Sequence, residues 1–137
     1  MPVRKGSSRD DNSNYRNDLI FDRENLVTKF KENYIISSAG NVRSGMVDNQ
    51  YIDGSRYLGR LVHNKREGKG VYYYKNGDIY AGDWQNDVFE GKGMYIYASG
   101  ERYEGQLKNG MKHGKGKYLY ITACVYDGDW ILDNKNG

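Results

Sequence analysis

The sequence predicts an all-β fold: a single elongated, twisted antiparallel sheet built from about four stacked β-hairpins of 23 residues each. Tyrosine recurs every 23 residues, and glycine stands two positions after each of these tyrosines. Two further series of glycines keep the same period. A constant period of this length is the signature of one supersecondary unit stacked repeatedly on itself. The predicted array spans residues 45–137, and its periodic tyrosines are Tyr57, Tyr80, Tyr103 and Tyr126.

Each copy contains two runs of alternating apolar residues separated by a turn signal, which is the pattern of a β-hairpin. In the second copy the turn reads Lys75, Asn76, Gly77. We expect a three-residue loop with its glycine in the left-handed region. An odd loop also keeps the aromatic residues of both strands on one face. Four hairpins give eight strands, and loops of about six residues, such as 85–90, are expected between hairpins.

The two faces of this sheet are predicted to differ. Tyrosine and tryptophan share one parity with the glycines, so aromatic rings should lie over bare glycine backbone on one face, an arrangement known as aromatic rescue. The aliphatic residues Val71, Ile79 and Met94 have the other parity and alternate with charged residues. The second face is therefore expected to be polar and solvated.

Two segments precede the array. Residues 1–18 are polar and charged, and they are predicted to form a disordered tail because they cannot bury enough apolar surface to offset ordering. A docking arm that orders on a partner is the alternative. Residues 19–44 are predicted to form a short helical cap segment, since Leu26, Phe30 and Tyr34 recur at every fourth position. We expect a helix of ten to twelve residues that covers the open end of the stack, or alternatively binds a partner.

Composition excludes several classes of site. The two histidines, His63 and His113, lie far apart in sequence, and Cys124 is the sole cysteine. Neither a zinc cluster nor a nucleophile paired with a histidine is expected. His113 is expected in a loop, and Cys124 at an outward position where a strand starts. No phosphate-binding loop is present. We therefore expect no enzyme activity, no cofactor and no metal.

Three sequence segments resemble the MORN repeat (membrane occupation and recognition nexus). They are YAGDW at 80–84, GKG at 91–93 and HGKG at 113–116. The resemblance covers about residues 45–137. The copies depart from the family pattern at Val47, Leu61, Leu107 and Ala123. The resemblance implies an elongated sheet of stacked hairpins. MORN arrays occur in axonemal and radial-spoke components, in cortical membrane skeletons, in membrane tethers, and beside catalytic domains of some enzymes.

The first function we expect is a non-enzymatic scaffold of a cytoskeletal or axonemal assembly in the cytoplasm, in a cilium, a flagellum or the cell cortex. A partner protein would lay an extended or helical segment across the aromatic groove, because tyrosine and tryptophan offer large contact area at small entropic cost. Packing within the sheet is the competing role for the same residues. The candidate contact residues are Tyr72, Tyr74, Tyr80, Trp84, Tyr95, Tyr97, Tyr103, Tyr118, Tyr120 and Trp130.

Strand edges offer a second mode of assembly. The fourth hairpin ends near Trp130, so its last strand is expected to expose an unpaired edge. Such an edge pairs readily with another chain. We therefore expect a homo-oligomer or a larger assembly formed through the C-terminal edge.

The alternative function is a peripheral membrane tether that binds acidic phospholipid weakly. Each basic residue near an anionic membrane contributes about 1 kcal/mol. A solvated surface is the competing explanation for these residues. Nucleic acid is not expected as a partner, because the net charge is only +3 and forms no basic stripe. The candidate lipid contacts are Lys65, Arg66, Lys112 and Lys115.

Overall fold

The structure, a computed structural model, describes residues 12–120, 122, 124–131 and 133–136. It consists of one helix followed by nine strands. The strands form one sheet in sequence order, and every neighbouring pair is antiparallel. The elements are α1 (Asn12–Tyr34), β1 (Met46–Gln50), β2 (Arg56–Val62), β3 (Lys65–Tyr73), β4 (Ile79–Gln85), β5 (Val88–Ile96), β6 (Arg102–Lys108), β7 (Met111–Leu119), β8 (Val125–Ile131) and β9 (Asn134–Asn136).

The hairpin loops have the predicted length of three residues. The Tyr74 amide donates to the Asp78 carbonyl oxygen at 2.9 Å, and the Gly77 amide donates to the Tyr74 carbonyl oxygen at 3.0 Å. Gly77 has a φ of 99°, a conformation that favours glycine. The same two hydrogen bonds close the loops of the first and third copies. The odd loop is thus confirmed, and it places the aromatic residues of both strands on one face.

Successive hairpins are joined by two-residue turns, so the expected six-residue loop at 85–90 is wrong. Asn86 and Asp87 have φ values of 51° and 71° and link β4 directly to β5. Two consecutive residues with positive φ form a type I′ turn, whose twist matches that of the flanking strands. Residues after the turn pair at once with β4. His113 correspondingly lies within β7, and its expected loop position is also wrong.

The aromatic face, defined as the face that carries the periodic tyrosines, contains a core of rings over paired glycines. Tyr57, Tyr80 and Tyr103 have no solvent exposure. Gly82 and Gly93 stand directly opposite each other on β4 and β5. A Cβ on Gly82 would lie 2.6 Å from the Tyr80 hydroxyl oxygen, so a side chain has no room there. The predicted packing of ring over glycine is confirmed.

Helix α1 packs on the opposite face, the helix face, and not on the end of the stack. Val27 is 4% exposed and lies in one cluster with Val71, Ala81 and Ile96. The prediction that this face is solvated is wrong around α1, because the helix removes these aliphatic residues from water. Further partly buried residues of the cluster are Phe30, Tyr73, Ile79 and Met94. The prediction of an end cap is also wrong, because α1 lies against the face of the sheet.

Two further boundaries differ from those expected. Helix α1 has 23 residues and begins at Asn12. It therefore includes residues 12–18 of the predicted tail, while the rest of that prediction lies outside the described residues. At the other end of the chain, β9 pairs with β8 through Trp130 and Lys135. The described sheet therefore has nine strands where eight were predicted. Its C-terminal edge strand is β9, not β8.

Candidate functional site

Seven tyrosines form a continuous row of ring contacts across the aromatic face, and we call this row the tyrosine ladder. Within a copy the ring centroids lie 4.6, 4.8 and 4.7 Å apart, and between copies they lie 5.9 Å apart at both steps. The first ring of the row, Tyr51, stacks on Tyr72 with a centroid distance of 6.3 Å. These distances lie in the range of favourable aromatic contact. The members are Tyr51, Tyr72, Tyr74, Tyr95, Tyr97, Tyr118 and Tyr120.

Strand alternation and the hairpin loop together position these rings. Residues two apart on a strand point to the same side, so each copy contributes a pair such as Tyr72 and Tyr74. The first tyrosine of each pair also donates a hydrogen bond to the copy before it. Its acceptor is the residue that follows the preceding hairpin loop. The three bonds are Tyr72 to Ser55 at 3.2 Å, Tyr95 to Asp78 at 2.8 Å and Tyr118 to Glu101 at 2.9 Å.

Three of the ladder hydroxyls, those of Tyr74, Tyr95 and Tyr118, have a raised pKa. Burial raises the pKa of Tyr74 to about 12. Burial and, as a smaller cause, the hydrogen bond to Asp78 raise the pKa of Tyr95 well above its usual value. The pKa of Tyr118 is raised by burial and by the hydrogen bond to Glu101. These hydroxyls can therefore act as hydrogen-bond donors on an otherwise apolar surface.

Four of the ten predicted contact residues lie in the core. Tyr80 and Tyr103 are fully buried, and Trp84 and Trp130 are 4% exposed. The two indoles each donate a hydrogen bond to the carbonyl oxygen of a core glycine, at 3.2 and 3.1 Å. A ligand lying on the surface cannot reach these side chains, so they support the fold. The other six predicted residues all belong to the tyrosine ladder and are partly buried.

Sequence reasoning missed Tyr51, which is 40% exposed at one end of the ladder. A clear signal was present, because Tyr51, Tyr74, Tyr97 and Tyr120 follow the 23-residue period. The degenerate glycines of the first copy obscured it. Phe89 was also missed. Its ring stacks on Tyr80 at 4.0 Å and belongs to the core.

Two of the four predicted lipid contacts, Arg66 and Lys112, are held on the aromatic face. The Arg66 guanidinium lies 4.6 Å from the Trp84 ring, and its Nε lies 2.9 Å from Asp87 Oδ1. Lys112 makes the equivalent contacts two copies later, with Nζ 5.4 Å from the Trp130 ring and 3.3 Å from Asp133 Oδ1. Both cations are thus engaged with aromatic rings and a carboxylate.

The other two predicted lipid contacts lie elsewhere. Lys115 is on the helix face, where its ammonium pairs with Asp129. Lys65 is exposed at the start of β3. The structure therefore distributes the four basic residues over both faces and does not bring them into one patch.

A groove of about 560 Å³ lies between α1 and the helix face. Leu26, Phe30 and Tyr34 form its helical wall, and glycines of β4 to β7 form part of its floor. Across the described part of the chain, no cluster of three or more histidine, cysteine or acidic side chains could hold a metal ion. The same residues include no helix that is long and apolar enough to span a bilayer. Cys124 is exposed, as expected.

Comparison with known proteins identifies the repeats. The family model for the MORN repeat matches three consecutive segments, residues 57–79, 80–102 and 103–124. Each segment begins at one of the buried tyrosines. No curated protein sequence matches the chain significantly. MORN repeats are non-enzymatic modules that commonly serve protein or membrane interaction. With its three matched repeats, its 23-residue hairpins and its single open sheet, the chain belongs to the MORN-repeat family.

Proposed function

We propose that this chain is a non-enzymatic scaffold that docks a segment of a partner protein on the tyrosine ladder. The observation that carries the proposal is the continuous row of contacting rings that the fold leaves partly exposed. A separate set of aromatic residues fills the core beneath. Exposed contiguous aromatic surface of this kind is typical of interaction sites.

The ladder is also held rigidly before any partner arrives. Ring contacts fix each tyrosine against its neighbours, and the hydroxyls of Tyr72, Tyr95 and Tyr118 are bonded to the preceding copy. Side chains that are already ordered lose little conformational entropy on binding. A binding segment therefore retains more of its contact energy than it would on a mobile surface.

The setting that we propose is a cytoskeletal assembly in the cytoplasm, in an axoneme or at the cell cortex. MORN arrays occur in such assemblies, and a single rigid sheet suits a structural role. Imaging of the tagged chain in ciliated cells tests this setting. Diffuse fluorescence throughout the cytoplasm, with none on axoneme or cortex, would contradict it.

Selection from a random peptide library displayed on phage tests the docking function. We expect the wild-type chain to enrich peptides whose binding is lost in the double variant Tyr74→Lys, Tyr97→Lys. The matched control is Tyr34→Lys, because Tyr34 is 41% exposed but lies on the helix. Thermal melting confirms that each variant is folded. Enriched peptides that bind both variants equally would show that the ladder is not the docking surface.

Binding to acidic phospholipid is the competing function. The ion pairs of Arg66 and Lys112 weaken it, because both cations already have protein partners. Flotation with vesicles that contain or lack phosphatidylserine, at low and high salt, separates the two functions. Binding that requires phosphatidylserine and is lost at high salt would favour the membrane tether.

We also propose that strand edges contribute to assembly. Among the described strands, β1 and β9 each pair with a single neighbour and so have one unpaired edge. End-to-end pairing of two copies would satisfy these groups. Sedimentation at rising protein concentration measures this association, and a purely monomeric mass at high concentration would contradict it.

A further inference from the structure

The tyrosine ladder has a regular spacing along its length. One pair of rings occurs in each copy, so equivalent rings are separated by two strands. Neighbouring strands lie about 4.8 Å apart, which places equivalent rings about 9.6 Å apart. The steps from Tyr74 to Tyr95 and from Tyr95 to Tyr97 measure 5.9 and 4.8 Å, which limits the separation of Tyr74 and Tyr97 to 10.7 Å.

This spacing matches one regular backbone conformation closely. A polyproline II helix has three residues per turn and rises about 3.1 Å per residue, so that one turn measures about 9.3 Å. Laid across the strands, such a segment brings every third residue over a tyrosine pair. An extended strand repeats after about 6.6 Å and an α-helical turn after about 5.4 Å, and neither repeat equals the separation of about 9.6 Å between equivalent rings.

The hydrogen-bonding groups of the ladder suit the same ligand. The hydroxyls of Tyr74 and Tyr97 form no hydrogen bond with any residue that the structure describes. A proline has no amide hydrogen, and the carbonyl groups of a polyproline II segment have no internal partners. At its proline positions the ligand therefore supplies acceptors only, and the hydroxyls of Tyr74 and Tyr97 can supply the matching donors.

Charge at the hairpin-loop border of the ladder favours a basic ligand. Arg66 and Lys112 lie 4.9 and 6.0 Å from the rings of Tyr72 and Tyr118, but each is paired with an aspartate. The hairpin loops of the first three copies, residues 51–55, 74–78 and 97–101, contain three carboxylates and one ammonium group. Asp78 and Glu101 lie one copy apart and accept hydrogen bonds from ladder hydroxyls at 2.8 and 2.9 Å. An arginine or lysine beside the prolines would find a complementary charge at this border.

We infer that the partner segment docked on the tyrosine ladder is proline-rich and adopts the polyproline II conformation, with proline at every third position and a flanking basic residue. This inference rests on the proposed docking function and names the class of partner. Aromatic surfaces with a ring spacing of one polyproline turn bind such segments because the free segment already has the bound shape. The other occupants, a β-strand or an amphipathic helix, become outcomes of the test.

Synthetic peptides labelled with a fluorophore provide the test, with affinity measured by fluorescence anisotropy. One peptide of about twelve residues, or four turns, carries proline at every third position and one arginine. Its matched control has the same length and composition, with the four prolines placed at unequal intervals. We expect the first peptide to bind about tenfold more tightly than the second. Equal affinity of the two peptides would overturn the inference.

Variants of the chain locate the site. The double variant Tyr74→Ser, Tyr97→Ser should weaken binding of the first peptide about tenfold or more, since clustered aromatic anchors dominate such interfaces. Tyr34→Ser should leave it unchanged. Glu101→Gln should weaken the first peptide and leave unchanged a version of it in which alanine replaces the arginine. Unchanged binding by the folded double variant would overturn the inference, whatever the peptide affinities.

The phage selection separates this inference from the function on which it rests. Peptides that require Tyr74 and Tyr97 but lack regularly spaced proline would overturn the inference and leave the docking function standing. Peptides that bind independently of both tyrosines would overturn both.

Discussion

The two faces of the sheet are stabilised in different ways. On the aromatic face, three successive copies repeat the same unit of a buried tyrosine over a pair of glycines. The helix face depends on a contact that occurs once, where Val27 of α1 covers Val71, Ala81 and Ile96. The periodic aromatic face is thus built from equivalent local contacts, whereas the helix face depends on one tertiary contact. Substitutions on the aromatic face should therefore destabilise the sheet itself, whereas substitutions on the helix face should detach α1 and leave the aromatic face intact.

The largest expected effect is on the aromatic face. Gly93→Ala would place a Cβ 2.5 Å from both Cε1 and Cζ of the buried Tyr80 ring. Overpacking of this kind costs about 3 kcal/mol of unfolding free energy. Gly40→Ala is the control, because its Cβ would meet nothing within 4 Å. Its positive φ should still cost about 1 kcal/mol. Equal losses in urea unfolding would show that the packing of ring over glycine is not the critical element.

A smaller and separable effect is expected on the helix face. Val27→Asp would bury a carboxylate among aliphatic residues, and α1 should detach, with a loss of about 2 kcal/mol. The aromatic face should persist, so the near-ultraviolet circular dichroism of its tyrosines and tryptophans should be retained at low temperature. Thr28→Asp, at an exposed position, is the control. Loss of the near-ultraviolet signal in Val27→Asp would show that the faces are not independent.

Alkaline pH should act mainly on the aromatic face. The pKa of Tyr74 is raised to about 12 by burial, compared with about 10 in an unfolded chain. A raised pKa means that the stabilisation is complete below pH 10 and is lost as the pH rises towards 12. The melting temperature should therefore fall over this range. A melting temperature that stays constant from pH 9 to pH 12 would contradict the prediction.

The smallest expected effect concerns a link between copies. Asp87 accepts hydrogen bonds from the Arg66 amide at 2.7 Å and from its Nε at 2.9 Å. These bonds hold the pKa of Asp87 below its usual value, so their contribution is lost as pH falls through the acidic range. Asp87→Ala should cost about 1 kcal/mol, since the pair is partly exposed. A loss several times larger in urea unfolding would show that the copies are less independent than the repeat suggests.

The periodic features were accessible from the sequence because local chemistry determines them. Strand alternation, the glycine at position 77 and the aromatic parity predicted the three-residue loops and the aromatic face. The two-residue turns also left a signal, since Asn109 and Gly110 form a pair typical of a type I′ turn.

The remaining features are not periodic and therefore could not be read in the same way. The position of α1 depends on which aliphatic residues of distant strands meet Val27, and nothing in a local pattern specifies that contact. The division between core and ladder was equally hidden, because Tyr74 and Tyr80 have the same parity and the same residue type. Only burial distinguishes them, and burial depends on the neighbouring copies.

The hydrogen bonds between copies have a consequence for how such a molecule changes in length. Each joins a tyrosine to an acceptor 17 residues earlier, as Tyr118 is joined to Glu101. Excision of residues 80–102 as a whole would set Tyr118 against Asp78, another carboxylate. Loss or gain of a complete 23-residue unit therefore leaves each of these tyrosine hydroxyls opposite an acceptor in the preceding copy. The sheet can therefore be lengthened or shortened by one 23-residue hairpin at a time, and the remaining tyrosines keep their positions relative to one another.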